Sequence, residues 1–104
     1  MPKKQFENLT EQMFYILMAL VNGSKCGIDI ASYIAKKTAG RVRVGPATLY
    51  TLLSKFENSA IIYEIEVEGR KRTYEITEAG KNLYKEEIVR LKACIRDAEE
   101  DETI

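Results

Sequence analysis

Three residues in the middle of the chain, Thr48, Thr51 and Lys55, are separated by three and four positions. On a helix, residues so spaced share one face. Two hydroxyls and an ammonium group on one face can bond polar edges and anions. A threonine hydroxyl both donates and accepts, and its methyl adds an apolar contact. Its short side chain also lets a helix backbone come close to whatever it touches. Tyr50 and Ser54 flank this face. Tyr50 fits two roles: its hydroxyl can hold a phosphate while its ring packs, or it can be a core or subunit-interface tyrosine. Thr48 fits either a base-edge contact or a first-turn residue that satisfies backbone groups. Lys55 fits either a phosphate or guanine contact or a solvated lysine.

Cations gather at two places. Lys36, Lys37, Arg41 and Arg43 form one cluster, and Arg70, Lys71 and Arg72 follow Gly69 to form another. Three cations at one turn repel each other, and a polyanion relieves that cost. Arg72 has a second reading, as a strand residue paired with Glu66 or Glu75 across a ladder. The formal net charge of zero hides this distribution. Asp97, Glu99, Glu100, Asp101 and Glu102 carry five acids and no base. Residues 1–96 then hold all 16 basic residues against 11 of the 16 acidic ones, a net of +5. Local fields, not the total, decide what a surface attracts.

Catalytic chemistry finds little to work with. The sequence has no histidine, the commonest general base. It has no nucleophile–base pair, no glycine-rich phosphate loop and no Cys-x-x-Cys. Cys26 and Cys94 lie far apart and read as reduced, small apolar residues. Neither a cofactor nor a metal is expected.

The elements that must position these residues follow from periodicity and punctuation. The chain has 104 residues, 45% hydrophobic and 31% charged, the composition of one soluble domain. Its longest apolar run, Met13 to Val21, is about half of the ~18–20 residues a membrane span needs. The opening MPKKQFENLTEQ lacks an apolar signal core, so a cytoplasmic protein is expected. Thr10 caps a first helix that runs to about Asn22, with Gly23 as its stop. That helix is apolar almost all round and must be covered on more than one side; a second subunit is the expected second cover. A second helix spans about Gly27 to Lys37, with Ile28, Ile30, Ala31, Ile34 and Ala35 inward. Arg41 to Val44 is an extended connector. Gly45-Pro46 then opens a third helix to about Asn58, with Leu49, Leu52, Leu53 and Phe56 inward.

Ile61 to Val67 and Arg72 to Thr77 read as two strands of a hairpin turning at Glu68-Gly69, with Ile65 and Val67 on one side and Glu64 and Glu66 on the other. Thr77 caps a last helix. On it Tyr84, Ile88, Leu91, Ile95 and Ala98 step by 4, 3, 4 and 3, a two-heptad seam that needs a partner surface. The expected fold is mainly α with a small β-hairpin: a winged helix-turn-helix part over 8–77 and a long dimerisation helix over 78–98. An acidic tail, 99–104, should fray. In this plan the third helix enters the major groove and the hairpin is the wing. The DNA-contacting candidates are Arg43, Thr48, Tyr50, Thr51, Lys55, Gly69, Arg70 and Lys71. The dimer candidates are Met18, Tyr84, Ile88, Leu91 and Ile95.

Four stretches carry a resemblance: LTEQMFYILMAL (9–20), the start of the second helix at Gly27, VGPATLYTLLSKFENSAII (44–62) and GRKRTYEITEAGKNL (69–83). Together, in order and spacing, they resemble the PadR family of bacterial and archaeal transcription regulators over roughly residues 8–96. The resemblance implies a homodimeric winged-helix repressor whose first and last helices make the dimer. It implies helix contacts to operator DNA from Thr48, Tyr50 and Lys55, and wing contacts from Gly69, Arg70 and Lys71. It also implies release by a small hydrophobic or aromatic effector. The chain resembles the short subgroup without a larger C-terminal domain. It lacks the tryptophans with which drug-binding members sandwich flat ligands. The expected function is therefore a regulator that binds a palindromic site on double-stranded DNA as a homodimer, with no membrane partner. The alternative is a winged-helix interaction module that does not read DNA, favoured by the zero net charge and acidic tail.

Overall fold

The computed structural model describes residues 8–69 and 71–101. Along them run four helices and three strands, in the order α1 (Glu11–Val21), β1 (Lys25–Cys26), α2 (Gly27–Lys37), α3 (Pro46–Asn58), β2 (Ile62–Glu68), β3 (Lys71–Ile76) and α4 (Glu78–Asp101). This is a mainly helical winged helix-turn-helix unit with a long last helix. No described helix is long and apolar enough to cross a membrane.

Three of the four helices start where local chemistry favours it. The Thr10 side chain accepts from the Met13 N–H at the start of α1. Pro46 sits in the first turn of α3, where its missing N–H costs nothing. The Thr77 hydroxyl accepts from the Gly80 N–H at 3.0 Å and lies within bonding distance of the Ala60 and Ile61 carbonyls. It therefore ties the start of α4 to the end of α3.

One core joins all layers. Ile16, Leu17 and Leu20 of α1, Ile30 and Ile34 of α2, Leu49, Leu53 and Phe56 of α3, and Ile62, Tyr74 and Ile76 of the sheet are buried together. Burying a large aliphatic or aromatic side chain of this kind contributes roughly 1.5–3 kcal/mol. Helix α1 is covered by α2, α4 and β3 of its own chain, so the second cover predicted from another subunit is not what buries it. Phe14, Tyr15 and Met18 remain half-buried and Val21 exposed.

Two other expectations are corrected. Ile28 is 78% exposed rather than inward. The inward row of α2 is Gly27, Ile30, Ala31, Ile34 and Thr38, spaced by three and four, and Ile28 falls one residue, about 100°, off it. Helix α4 does not fray at residue 99 but continues to Asp101, because a helix already under way adds one hydrogen bond per residue fixed. Residues 102–104 lie outside the described residues.

The sheet has the order β1-β3-β2 and is antiparallel throughout. Strand β1 was not expected, since two residues show no periodicity. It pairs Lys25 with Tyr74 and Cys26 with Thr73. The β2–β3 ladder carries a bulge between Glu64 and Glu66. Directly paired residues share a face, so the bulge moves Val67, opposite Arg72, onto the face of Glu64 and Tyr74. Glu66 and Glu68 go to the other face. Strict alternation along β2 therefore fails, and Ile65 and Val67 are both about half exposed. On its own face Arg72 pairs with Glu64 at 3.7 Å, not with Glu66 or Glu75.

Glu75 has a separate task. Its carboxylate accepts from the hydroxyls of Tyr63 and Ser24, which joins β2 and the β1 approach to β3. The Tyr63 hydroxyl, with help from Ser24, holds the Glu75 carboxyl below the usual carboxylate range. The Arg90 guanidinium does the same for the buried Glu87. A carboxyl whose pKa is lowered on folding stabilises above its unfolded value, about 4.3, and loses that contribution as pH falls through the folded value. Glu75→Gln and Glu87→Gln should therefore each flatten the acid limb of stability below about pH 4. Denaturant midpoints across a pH series check this, and an unchanged acid limb would show that neither carboxylate carries the linkage.

Candidate nucleic-acid interface

Helix α3 has a firmly seated side and an open one. Leu49, Leu53 and Phe56 are buried, while Thr48, Tyr50, Thr51, Ser54 and Lys55 are exposed. The connector before it fixes its approach. Ala39 and Gly40 both take left-handed backbone conformations, φ 51° and 79°, which ends α2 abruptly. The buried Thr38 hydroxyl then bonds in two directions. It reaches the Ile34 carbonyl at 2.9 Å and accepts from the Val42 N–H at 3.0 Å. Val42 and Val44 point into the core and Arg41 and Arg43 outward, as the alternation predicts. Arg41 is occupied: it donates to the Tyr15 hydroxyl and lies 3.5 Å from Glu11, and both partners raise its pKa, Tyr15 the more. Arg43 is exposed, and its carbonyl accepts from Gln12.

Thr51 is more specific than its residue type suggests. Its hydroxyl donates to the Ala47 carbonyl one turn back, at 2.9 Å. The proton is spent within the helix, which leaves oxygen lone pairs and a methyl facing outward. Such a group suits an amino edge or a thymine methyl better than an acceptor.

Tyr50 and the wing meet. Cys26, Gly27, Ile28 and Asp29 at the start of α2, Tyr50 of α3, and Lys71 and Arg72 of β3 line one open cleft of about 320 Å³. Tyr50 is 48% exposed, so the purely buried role is excluded. Its hydroxyl lies over Gly27, where a Cβ would stand 2.7 Å from the phenolic oxygen. Gly27 is thus the vacancy that seats Tyr50. At the hairpin tip Gly69 has φ +63°, the positive value that two-residue hairpin turns demand, and is exposed. Arg70 lies outside the described residues, so its placement rests on the sequence.

Of the expected contacts, the structure brings Tyr50 and Lys71 to one cleft and keeps Thr48, Thr51 and Lys55 on the open face of α3. Arg43 stays on the connector. Ile28, Asp29 and Arg72 were missed as neighbours of this surface. Starting the inward row of α2 at Gly27 instead of Ile28 would have exposed the first of them. The dimer candidates divide. Tyr84 stacks on Phe14 of its own chain, ring centroids 5.1 Å apart, and Leu91 lines a groove with Leu9 and Phe14. Met18 and Ile88 are half-buried, and Ile95 is 57% exposed.

A helix pair joined by a tight connector, followed by a cationic hairpin, defines a winged helix-turn-helix protein. The chain matches the transcriptional regulator PadR-like family over residues 16–86, and it belongs to that family, one of regulators rather than enzymes. A curated relative, an uncharacterized 37.1 kDa protein in a transposon of Streptomyces fradiae, is 33% identical over 72 residues. The match covers 69% of this chain, which spans only about a fifth (20%) of that relative. Among solved structures, a transcriptional regulator from Clostridium thermocellum is 25% identical, with a TM-score of 0.77 over 86% of this chain and 88% of that one. Bacillus subtilis PadR in complex with operator DNA is 23% identical, with a TM-score of 0.66 over 74% of this chain and 46% of that one. The second likeness is one of fold.

Gly27→Ala should push Tyr50 off its seat without touching α3 itself. Its expected signature is a changed near-ultraviolet tyrosine signal with stability lowered by about 1–3 kcal/mol, the usual overpacking cost. An unaltered tyrosine signal would mean that Gly27 does not seat Tyr50.

Proposed function

We propose that the chain is a cytoplasmic, DNA-binding transcription repressor that acts as a homodimer on a two-fold site. The observation that carries this reading is the open face of α3, with Thr48, Thr51 and Lys55 exposed, beside the cleft that Tyr50 shares with Lys71. A major groove about 12 Å wide admits one helix. With α3 in it, Thr48, Thr51 and Lys55 face base edges or adjacent phosphates. Tyr50, Arg43 and the wing residues Gly69, Arg70 and Lys71 lie along the backbone. Residues 8–77 serve as the DNA-binding part and residues 78–98 as the dimerisation helix. Bacillus subtilis PadR, which shares the fold, was solved in complex with operator DNA, and this supports DNA as the partner.

The dimer follows from α4. Its outward row, Ile88 and Ile95, and the half-buried Met18 on α1 offer apolar surface that a second copy would cover, with Tyr84 and Leu91 turned toward the chain's own α1. Two copies related by a two-fold axis place their α3 helices on half-sites about one helical turn apart. Release by a small hydrophobic or aromatic effector belongs to the same proposal. Its candidate seat is the groove of about 260 Å³ between the start of α1 and α4, lined by Leu9, Phe14, Tyr15, Glu87 and Leu91.

Arg70→Ala with Lys71→Ala should weaken binding to every duplex alike. Each lost phosphate contact should also reduce the slope of log affinity against log salt by ~0.9. Gel-shift titrations over a salt series check this; unchanged affinity would remove the wing from the interface. An interaction module that does not read DNA would show no duplex preference at any salt. Ile95→Asp, at a position the chain's own core does not use, should shift sedimentation from dimer to monomer, because a carboxylate is costly to bury unpaired. A variant that still sediments as a dimer would refute the seam.

A further inference from the structure

Thr51 sits on the open face of α3, with Thr48 three residues before it and Lys55 four after, all exposed. Its hydroxyl donates to the Ala47 carbonyl at 2.9 Å. A hydroxyl carries one proton and two acceptor lone pairs. With the proton committed to the helix, the group that faces outward only accepts. Turning that proton to an outside acceptor exchanges one bond for another and gains little. The same bond selects one of the two χ1 states that a helical threonine populates, so it also fixes where the methyl points. Thr51 thus presents a set pair, an acceptor oxygen and a methyl group. Lys55, one turn on, is the reverse, a donor with no acceptor.

Base pairs differ in what they offer such a group in the major groove. Adenine presents an N6 amino donor beside its N7 acceptor, and its thymine partner adds a methyl group. Guanine presents two acceptors, N7 and O6, which would meet the Thr51 lone pairs with no proton between them. Cytosine offers an amino donor but no methyl. Only the A·T pair supplies a partner for both halves of the side chain. A hydroxyl free to donate would lose this discrimination, because it could bond guanine as readily as adenine. The bond to Ala47 therefore converts a tolerant hydroxyl into a selective one.

We propose that Thr51 is a specificity-determining residue that selects an A·T pair at one position of each half-site, accepting from adenine N6 and packing its methyl against that of thymine. This rests on the reading of α3 as the helix that enters the major groove. Thr51 is exposed and takes no part in the core, so its replacement should change stability little. Its role differs from that of the wing cations, whose phosphate contacts carry no sequence information.

The test has two arms. In the first, the full chain and its Thr51→Val and Thr51→Ser variants each select from a randomised duplex pool, and the bound duplexes are sequenced. The wild type should select A·T at one position of each half-site that the variants read differently. Thr51→Val keeps a methyl but no acceptor. It should lower the preference for A·T over G·C there by about fivefold or more, the effect of one mismatched pair, and leave the other positions unchanged. Thr51→Ser keeps the acceptor and loses the methyl, so it should still prefer A·T there but bind thymine and uracil duplexes alike. In the second arm, gel shifts compare the wild type on selected duplexes with single adenines replaced by base analogues, which stands even if a variant folds poorly. At one adenine of each half-site, purine, which lacks the N6 amino group, should weaken binding by about fivefold or more. At the same adenine 7-deazaadenine, which lacks the N7 acceptor, should leave binding unchanged, because Thr51 has no proton to give it. A loss with 7-deazaadenine as large as with purine would show that the hydroxyl donates, and overturns the proposal. So do a G·C pair at the position the variants affect, variants that change no position, and a half-site in which no adenine shows the analogue pattern. A wild type that selects no duplex sequence overturns the underlying reading, and the proposal with it.

Discussion

At Gly80 the first turn of α4 lies so close to the Ile61 carbonyl that a Cβ there would stand 2.3 Å from the oxygen. No side chain larger than hydrogen fits without moving backbone. The neighbouring Thr77 bonds the same stretch, donating its N–H to the Ile61 carbonyl while its hydroxyl caps α4. The end of α3, the base of the hairpin and the start of α4 are thereby locked at one point. The placement of the last helix depends on that lock. It sets how α4 leaves the body, which row of α4 meets α1, and where the free end of the helix projects.

From that point the molecule divides its work between apolar burial and directed polar bonds. Burial fixes which faces are inside: Leu49, Leu53 and Phe56 hold α3 by one side and leave Thr48, Thr51 and Lys55 on the other. Hydrophobic contact is non-directional and leaves angles loosely set. The angles come from polar groups at the junctions: Thr38 in the connector, Thr77 at the α4 cap and Glu75 across the sheet. Among the described residues no buried side-chain polar atom lacks a hydrogen-bond partner, so these ties add direction without leaving unpaired groups.

The surface follows the same division. The wing carries acids on β2 and cations on β3, and the Arg72–Glu64 pair removes one cation from the open set. Arg41, bonded to Tyr15 and near Glu11, is withdrawn as well. What remains exposed along α3 and the β3 start is Thr48, Thr51, Lys55 and Lys71, with Tyr50 between α2, α3 and the wing. A chain with no net charge thus leaves Lys55 and Lys71 exposed along this surface, with Asp29 lining the same cleft as Lys71.

Helical period, caps and turn glycines were legible in the linear chain, and with them the four helices, the hairpin and the open face of α3. Those features arise from neighbours within a few residues, so local chemistry determines them. The bulge that turns Val67 onto the face of Glu64 and the two-residue β1 strand were not legible, since each depends on a partner far along the chain. The heptad on α4 showed that the helix needs partners but not which. Tyr84, Glu87 and Leu91 turned to α1 while Ile95 stayed outside. The sequence by itself determined the elements, their order and the residue types offered to a ligand. Only the tertiary structure decided which of those residues share a cleft, because periodicity names a face, whereas contact between faces is set by long-range packing.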